Sequence, residues 1–377
     1  MRVTSIIASM AAMCFWSATA MPVDQQLALK EAGKRLIALS DTDRQWMTDD
    51  EVLGLIRADT SFIDVTDGEV TAPKSLMRAA ALPATPTQQT LVKSLIAGIS
   101  EAQMKSFLTK FTGYNNRYYK SSTGKAAALW LADQARALAT EANAKGLNVT
   151  VSTFSHTWGQ SSVIARINPS SGNGTTKPEV VVLGAHLDSI NSRNPMSGRA
   201  PGADDDGSGS VTIFEAYRLL LANGVAPVRP IEFQWYAGEE AGLLGSGKIV
   251  ADFVARKVPV YGMLQMDMTA YTPPNKPAIV GIATDFTDPT LSKFVQALNT
   301  AYCTTRWANV KCGYGCSDHA SWNKAGFPAA FSFESSFSDS NPDIHSDRDT
   351  LAKVNYKHMT EFVKLATSFA VELGLSK

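Results

Sequence analysis

An α/β fold, built on one mixed and mostly parallel central sheet with helices on both faces, is what this sequence of 377 residues predicts. Three observations predict it. From residue 148 onward, short apolar segments alternate with longer stretches of helical period. Segments such as Val180-Val181-Val182-Leu183 are apolar without alternation, which marks strands covered on both faces. Apolar residues make up 45% and charged residues 19%, a balance that suits one large core rather than a disordered chain. The formal net charge is zero, so bulk charge offers nothing to a nucleic acid.

The elements follow in chain order. Arg2 precedes a largely apolar run over 6–16, and Ala18-Thr19-Ala20 fits the small-x-small rule for a signal peptidase. Residues 1–20 therefore read as a signal peptide, and the chain is expected to be secreted. That run is too short to span a bilayer, and no later segment approaches a span, so no membrane partner is expected. Met13 is too large for the position before a lipidated Cys14.

Residues 21–83 carry two helical patterns, over 25–39 and 50–57, then a polar, acid-rich stretch and the linker composition Ala81-Leu82-Pro83-Ala84-Thr85-Pro86. This block reads as a pro-segment, with a helical extension kept in the mature protein as the alternative. The remaining chain, 84–377, reads as one catalytic domain. Helical patterns cover 87–99, 101–111 and 122–144, the last opening on good N-capping residues. Between them lies a polar-aromatic connection, Tyr114-Asn115-Asn116-Arg117-Tyr118-Tyr119, with no evident purpose. Strands are then expected at 148–154, 162–168, 180–185, 231–237, 260–266, 278–282 and 329–333. Helices are expected at 208–223, 243–256, 289–302, 319–325 and 356–373.

Past the signal peptide the cysteines are Cys303, Cys312 and Cys316. Cys312-Gly-Tyr-Gly-Cys316 is the natural disulfide, because two glycines let a tight loop close. A metal-binding pair is the alternative, and it would need two more nearby ligands.

Chemistry concentrates where the strands end, the place at which open α/β sheets hold ligands. The 180–185 strand runs into His186-Leu187-Asp188, and a short loop leads to Asp204-Asp205-Asp206-Gly207-Ser208-Gly209. So many carboxylates beside one histidine repel one another and resist burial unless a cation holds them. Three further signals sit at later strand ends: Gly238-Glu239-Glu240-Ala241-Gly242, then Asp267, then Asn341-Pro342-Asp343-Ile344-His345. Singly, each has an ordinary explanation: an aspartate as a turn former, paired glutamates as a solvated helix start, a loop histidine at the surface. In this order they point to a metal site.

The set resembles the two-zinc aminopeptidase family, most closely its secreted bacterial leucyl aminopeptidases, from about Pro86 to near the C-terminus. The motifs that carry the resemblance are Gly184-Ala185-His186-Leu187-Asp188-Ser189, Ala200-Pro201-Gly202-Ala203-Asp204-Asp205-Asp206, Gly238-Glu239-Glu240-Ala241-Gly242-Leu243 and Cys312-Gly313-Tyr314-Gly315-Cys316-Ser317-Asp318-His319-Ala320-Ser321-Trp322. The resemblance implies two zinc ions bridged by Asp205, one completed by His186 and Asp267, the other by Glu240 and His345. It makes Glu239 the general base toward a zinc-activated water, and Asp188 the hydrogen-bond partner that orients His186. It also implies cleavage of the first peptide bond of substrates with a free N-terminus, preferably after a large apolar residue such as leucine. Met268, Tyr314, Phe333, Phe337 and Ile344 occupy the positions that line the family's apolar pocket; ordinary core packing is the competing explanation. Ala283 stands at a further pocket position. A monomer is expected.

Rival readings are weaker. Ser317, Asp318 and His319 are sequence neighbours, which does not make a triad, and no Gly-x-Ser-x-Gly elbow follows a strand. A one-zinc glutaminyl cyclase of the same fold would not need the complete ligand set. A carboxypeptidase would need a basic residue in the pocket. A binding protein that had lost catalysis would have lost ligands.

Overall fold

The structure, a computed structural model, describes residues 21–40, 42–58, 60–77, 81–169 and 178–376; the predicted signal peptide lies outside them. The chain divides into two units between Asp67 and Gly68.

The first unit holds α1 (Val23–Glu31), β1 (Arg35–Ala38), β2 (Arg44–Met47), α2 (Asp49–Arg57) and β3 (Ile63–Asp64). Its antiparallel sheet has the order β2-β1-β3. The helix expected over 25–39 is therefore two elements. Gly33 takes a left-handed φ of 77°, ends the first, and lets Leu36-Ile37 join a strand. No residue of α1 is buried, so nothing on that helix rewards its extension. The second predicted helix is present and opens on a capping box between Thr48 and Glu51.

The second unit begins with α3 (Gln89–Ile96), α4 (Glu101–Phe111), α5 (Ser122–Ala144), β4 (Val149–Phe154), β5 (Ser162–Ile167) and β6 (Val180–His186). Then come α6 (Gly207–Ala222), β7 (Ile231–Tyr236), α7 (Leu244–Ala255), β8 (Val260–Met266), β9 (Val280–Ala283) and α8 (Pro289–Tyr302). It closes with β10 (Trp307–Val310), α9 (His319–Lys324), β11 (Ala329–Phe333) and α10 (Tyr356–Gly374). The helices expected at 101–111, 122–144 and 289–302 have those ends; the last starts with Asp288 as cap and Pro289 in the first turn.

Eight strands form one sheet in the order β10-β9-β11-β8-β6-β7-β5-β4. The central run β11-β8-β6-β7 is parallel throughout, while β4 and β5 add an antiparallel edge and β9 meets β11 antiparallel. The single α/β domain with a mostly parallel mixed sheet is thus as expected. Strand β10 lay outside the sequence reading. It is four residues at a sheet edge, half-exposed except for Val310, so it carries no apolar run.

Strand β6 explains the unbroken apolar run. Val181, Leu183 and Ala185 pack into the core shared with α4, α5, α6, α8 and α10. Val180 and Val182 pack into the other core, with Ile249 and Phe253 of α7 and Trp322 of α9. Alternate residues serve opposite faces, and both faces are covered. At Gly184 a Cβ would lie 2.5 Å from Gln265 Oε1 and 2.7 Å from the Tyr236 ring, so neighbouring strands fit only against glycine.

Within this unit the stretch after Gly68 is part of the core. Ala72 and Leu76 are buried with Trp322 and Phe327, and the Ala72 N–H donates to the Ala325 carbonyl at 2.8 Å. Further along, Glu372 of α10 accepts the backbone N–H groups of Thr87 and Gln88 at 2.7 and 2.9 Å, which fixes the start of α3. Among the described residues, no helix is long and apolar enough to cross a membrane.

Candidate metal centre and active site

The parallel strands β6, β7, β8 and β11 end at the same edge of the sheet, and every ligand candidate hangs from those ends. His186 is the last residue of β6. Asp267 follows β8. Glu239 and Glu240 form a tight turn after β7, between Gly238 and Gly242, whose φ values of 69° and 101° admit glycine readily. Asp205 sits in the loop that opens α6, next to a cis peptide bond with Asp206. His345 lies in the loop after β11 with a φ of 54°, a costly conformation for histidine. Its carbonyl accepts the Ser192 N–H at 3.0 Å, so the loop after Asp188 grips it.

Two groups of three side chains converge: His186, Asp205 and Asp267, and then Asp205, Glu240 and His345. His186 Nε2 lies 3.0 Å from Asp205 Oδ1 and 3.5 Å from Asp267 Oδ1. His345 Nε2 lies 3.2 Å from Asp205 Oδ2 and 3.1 Å from Glu240 Oε2. Asp205 thus turns one oxygen to each group. Two donors each about 2.1 Å from a tetrahedral zinc stand about 3.4 Å apart, so these spacings suit such an ion. The other oxygen of Glu240, Oε1, is buried with no hydrogen-bond partner. Histidine and carboxylate donors of this kind match zinc in type as well as in spacing.

The electrostatics point the same way. Burial pushes the Glu239 carboxyl well above the usual range; His186 opposes this, while Asp318, Asp267 and Glu240 add to it. Burial also pushes Glu240 up to about 7. Burial opposes ionisation of Asp205 too, but hydrogen bonds and charge from His186 and His345 hold it well below the usual range. Both imidazoles resist charging because they are buried, yet the carboxylates around them raise their proton affinity well above normal. Added positive charge is what relieves this crowding.

A second ring of groups holds the donors. Asp188 Oδ1 lies 3.5 Å from His186 Nδ1, and the same carboxylate accepts the backbone N–H of Glu239 at 3.0 Å and of Glu240 at 3.3 Å. It therefore ties β6 to the glutamate turn, a task its sequence position does not disclose. Asp206 caps α6 through the Gly209 N–H and accepts the N–H groups of His186 and Met268 at 3.0 and 3.1 Å. Asp349 accepts the N–H of Asp204 and of Asp205, at 3.1 and 3.0 Å. Arg117, from the polar-aromatic connection, is fully buried and donates to the carbonyls of Leu187 and Gly202 at 2.8 and 2.9 Å. Asp349 belongs to no motif that sequence reading singled out, and the connection that holds Arg117 was noted there without a purpose.

Beside the donors lies an apolar cluster of Met268, Ala283, Phe331 and Phe333, with Cys316, Phe337 and Ile344 packed against it. Phe333 and Phe337 stack with ring centres 4.2 Å apart. Four of the five expected pocket residues meet here, and Phe331 joins them. Tyr314 is outside the cluster and 37% exposed. Cys312 and Cys316 form a disulfide, and Asp285 holds its loop by accepting the Cys312 and Gly313 N–H groups at 3.2 and 2.8 Å. Cys303 is a free thiol that burial pushes far up. His319 stacks on Phe331 at 4.7 Å, and burial lowers its pKa to about 3. It is a packing residue, and no serine triad forms around it.

Two such donor groups at the strand ends of an α/β sheet have the make of a metallopeptidase site. Residues 162–370 match the model of peptidase family M28, and the chain belongs to that family. It is similar to leucine aminopeptidase 1 of Arthroderma gypseum and of Trichophyton rubrum, each 40% identical and covering 99% of this chain and 100% of the relative. The crystal structure of the Legionella pneumophila LapA aminopeptidase superposes with a TM-score of 0.79 at 32% identity, over 91% of this chain and 98% of that one. A Porphyromonas gingivalis glutaminyl cyclase, 17% identical with a TM-score of 0.57 over 73% of this chain and 99% of that one, shares the fold alone.

Proposed function

We propose that this chain is a secreted leucine aminopeptidase that uses two zinc ions, with Glu239 as general base. The coarse activity, hydrolysis of peptides by an aminopeptidase, rests on the family and on relatives matched over nearly their whole length. The observation that carries the finer reading is the pair of donor groups sharing Asp205, with Glu239 one residue from the ligand Glu240.

His186, Asp205 and Asp267 would hold one ion and Asp205, Glu240 and His345 the other. When bound, the ions supply acidity to a water molecule and polarise the scissile carbonyl. Glu239 takes the proton from the attacking water and returns it to the leaving amine. Its backbone is fixed by Asp188, whose carboxylate also stands 3.5 Å from His186 Nδ1, so the base and a ligand share one neighbour. Restriction to the first peptide bond is carried over from the aminopeptidase relatives, and would come from recognition of the substrate's free α-amine at the metal centre. Met268, Phe333, Phe337 and Ile344, with Ala283 and Phe331, receive a large apolar side chain through burial of its surface. Tyr314, more exposed, would stand toward the mouth of that pocket.

The test is hydrolysis of aminoacyl p-nitroanilides. Leucyl substrate should be cleaved in preference to alanyl and glutamyl substrates, N-acetyl-leucyl substrate should not be cleaved, and a chelator should abolish activity that zinc restores. Cleavage of the blocked substrate, or full activity of metal-free protein, refutes the reading. Secretion rests on the pattern of residues 1–20, and a monomer remains our expectation. Residues 21–83 are proposed to be a pro-segment, so the precursor should be slower than a chain starting near Pro86. Equal rates would count against it, and the burial of Ala72 and Leu76 predicts that the shorter chain melts at a lower temperature than one starting at Gly68.

A further inference from the structure

Among the described residues Arg117 is the one arginine that is fully buried, and the contacts it shows include no direct ion pair with a carboxylate. Its guanidinium is satisfied by three main-chain carbonyls instead. Nε donates to Leu187, Nη1 to Pro201 and Nη2 to Gly202. One face lies 4.2 Å from the centre of the Phe111 ring. The backbone joins in: the Arg117 N–H donates to Ser189 Oγ at 3.0 Å, and that hydroxyl donates to the Ala200 carbonyl at 2.9 Å.

These partners fall at both ends of a single excursion of the chain. Leu187 stands between His186 and Asp188, and Gly202 stands three residues before Asp205. For His186 and Asp205 to share an ion, the intervening loop must close to a fixed span. The packing leaves no slack at the closure. Gly202 has a φ of 53°, and a Cβ there would lie 2.5 Å from the Asp205 carbonyl and 2.7 Å from Arg117 Nη2. A planar fork with donors in fixed directions suits this task, and a single ammonium does not.

We infer that Arg117 is a positioning residue of the metal centre: by clamping the Leu187 and Gly202 carbonyls together it sets His186 against Asp205. The inference rests on the reading that these two side chains hold an ion. Its buried charge also stands near Asp349, Asp188, Asp206 and Asp205 and so offsets their repulsion. Clamp and charge make different demands on a substitute: lysine keeps the charge and loses the fork, whereas methionine loses both.

The experiment measures zinc affinity of the full chain by competition with a chromophoric chelator, for the parent, Arg117→Lys and Arg117→Met, with melting of each metal-free protein followed in parallel. Loss of an outer partner of a ligand typically costs about 10- to 100-fold in metal affinity. Both variants should show a loss in that range, with lysine failing to rescue. Affinities within twofold of the parent, whatever the melting temperatures, would make Arg117 a fold residue only and overturn the inference. Rescue by lysine alone would overturn the clamp in favour of charge. A parent that takes up no zinc would overturn the metal reading itself, a result distinct from unchanged variants. Should neither arginine variant fold, Ser189→Ala removes the acceptor of the Arg117 N–H and the bridge to Ala200 while leaving the guanidinium's own contacts in place. A loss of about threefold or more supports the inference, and an unchanged affinity overturns it.

Discussion

Asp188→Asn keeps the volume of a fully buried side chain and removes its charge. In the parent, Oδ1 accepts the Glu239 N–H at 3.0 Å and Oδ2 accepts the Glu240 N–H at 3.3 Å, while His186 Nδ1 stands 3.5 Å from Oδ1. An asparagine offers one oxygen and one NH2 group. Whichever way it turns, its NH2 group faces a backbone donor. A hydrogen bond to a charged acceptor contributes about 1.5–3 kcal/mol, and the stranded donor is part-buried. At about 1.4 kcal/mol per decade, that is a loss of about 10- to 150-fold in whatever depends on the glutamate turn. The turn carries both the proposed base and a ligand, so kcat on a leucyl anilide and the affinity for zinc should fall together. Steady-state kinetics at saturating zinc and a chelator competition read the two separately. Both values within twofold of the parent would refute the idea that Asp188 couples His186 to Glu239 and Glu240.

Two other outcomes follow from the same geometry. Glu239→Gln should keep its zinc and its melting temperature but lose about 10²- to 10⁴-fold in kcat, the usual contribution of a positioned base; near-normal turnover would remove Glu239 from that role. Zinc uptake should release protons. Surrounding carboxylates raise the proton affinity of His186 and His345 well above the usual histidine value despite burial, so protons compete with zinc for both rings. Ligation requires neutral imidazole, hence at least one proton should leave per chain and affinity should rise with pH. Calorimetry in buffers of different ionisation heat detects this, and a proton count of zero would contradict it.

What could be read in the sequence was local. His186 follows an apolar, β-branched run that only a buried strand explains, and Glu239-Glu240 lies between glycines directly after another such strand. Asp205 and Asp267 are likewise marked by position at strand and helix ends. Of the supporting ring, Asp188 was expected through the family resemblance alone, while Asp349 and Arg117 reach their partners across long stretches of chain. Asp349 meets Asp204 from 145 positions away, and Arg117 meets Leu187 and Gly202 from 70 and 85 positions away. Nothing in the pattern around Arg117 separates a buried clamp from a surface cation. Local readings failed where burial was weak: the part of the expected helix over 25–39 that is helical, up to Glu31, buries no residue, and β10 is a four-residue edge strand. Phe331 was passed over although it stands two positions from Phe333 on β11 and so shares its face, a signal the strand's alternation did offer.

The central claim is a pair of ions bridged by one carboxylate, and metal analysis of the purified protein tests it most directly. Zinc counted against protein should give two ions per chain in the parent. Asp205→Ala, which removes a donor from both groups at once, should lower the count at both sites. One ion per chain in the parent, or two retained without Asp205, would contradict the account.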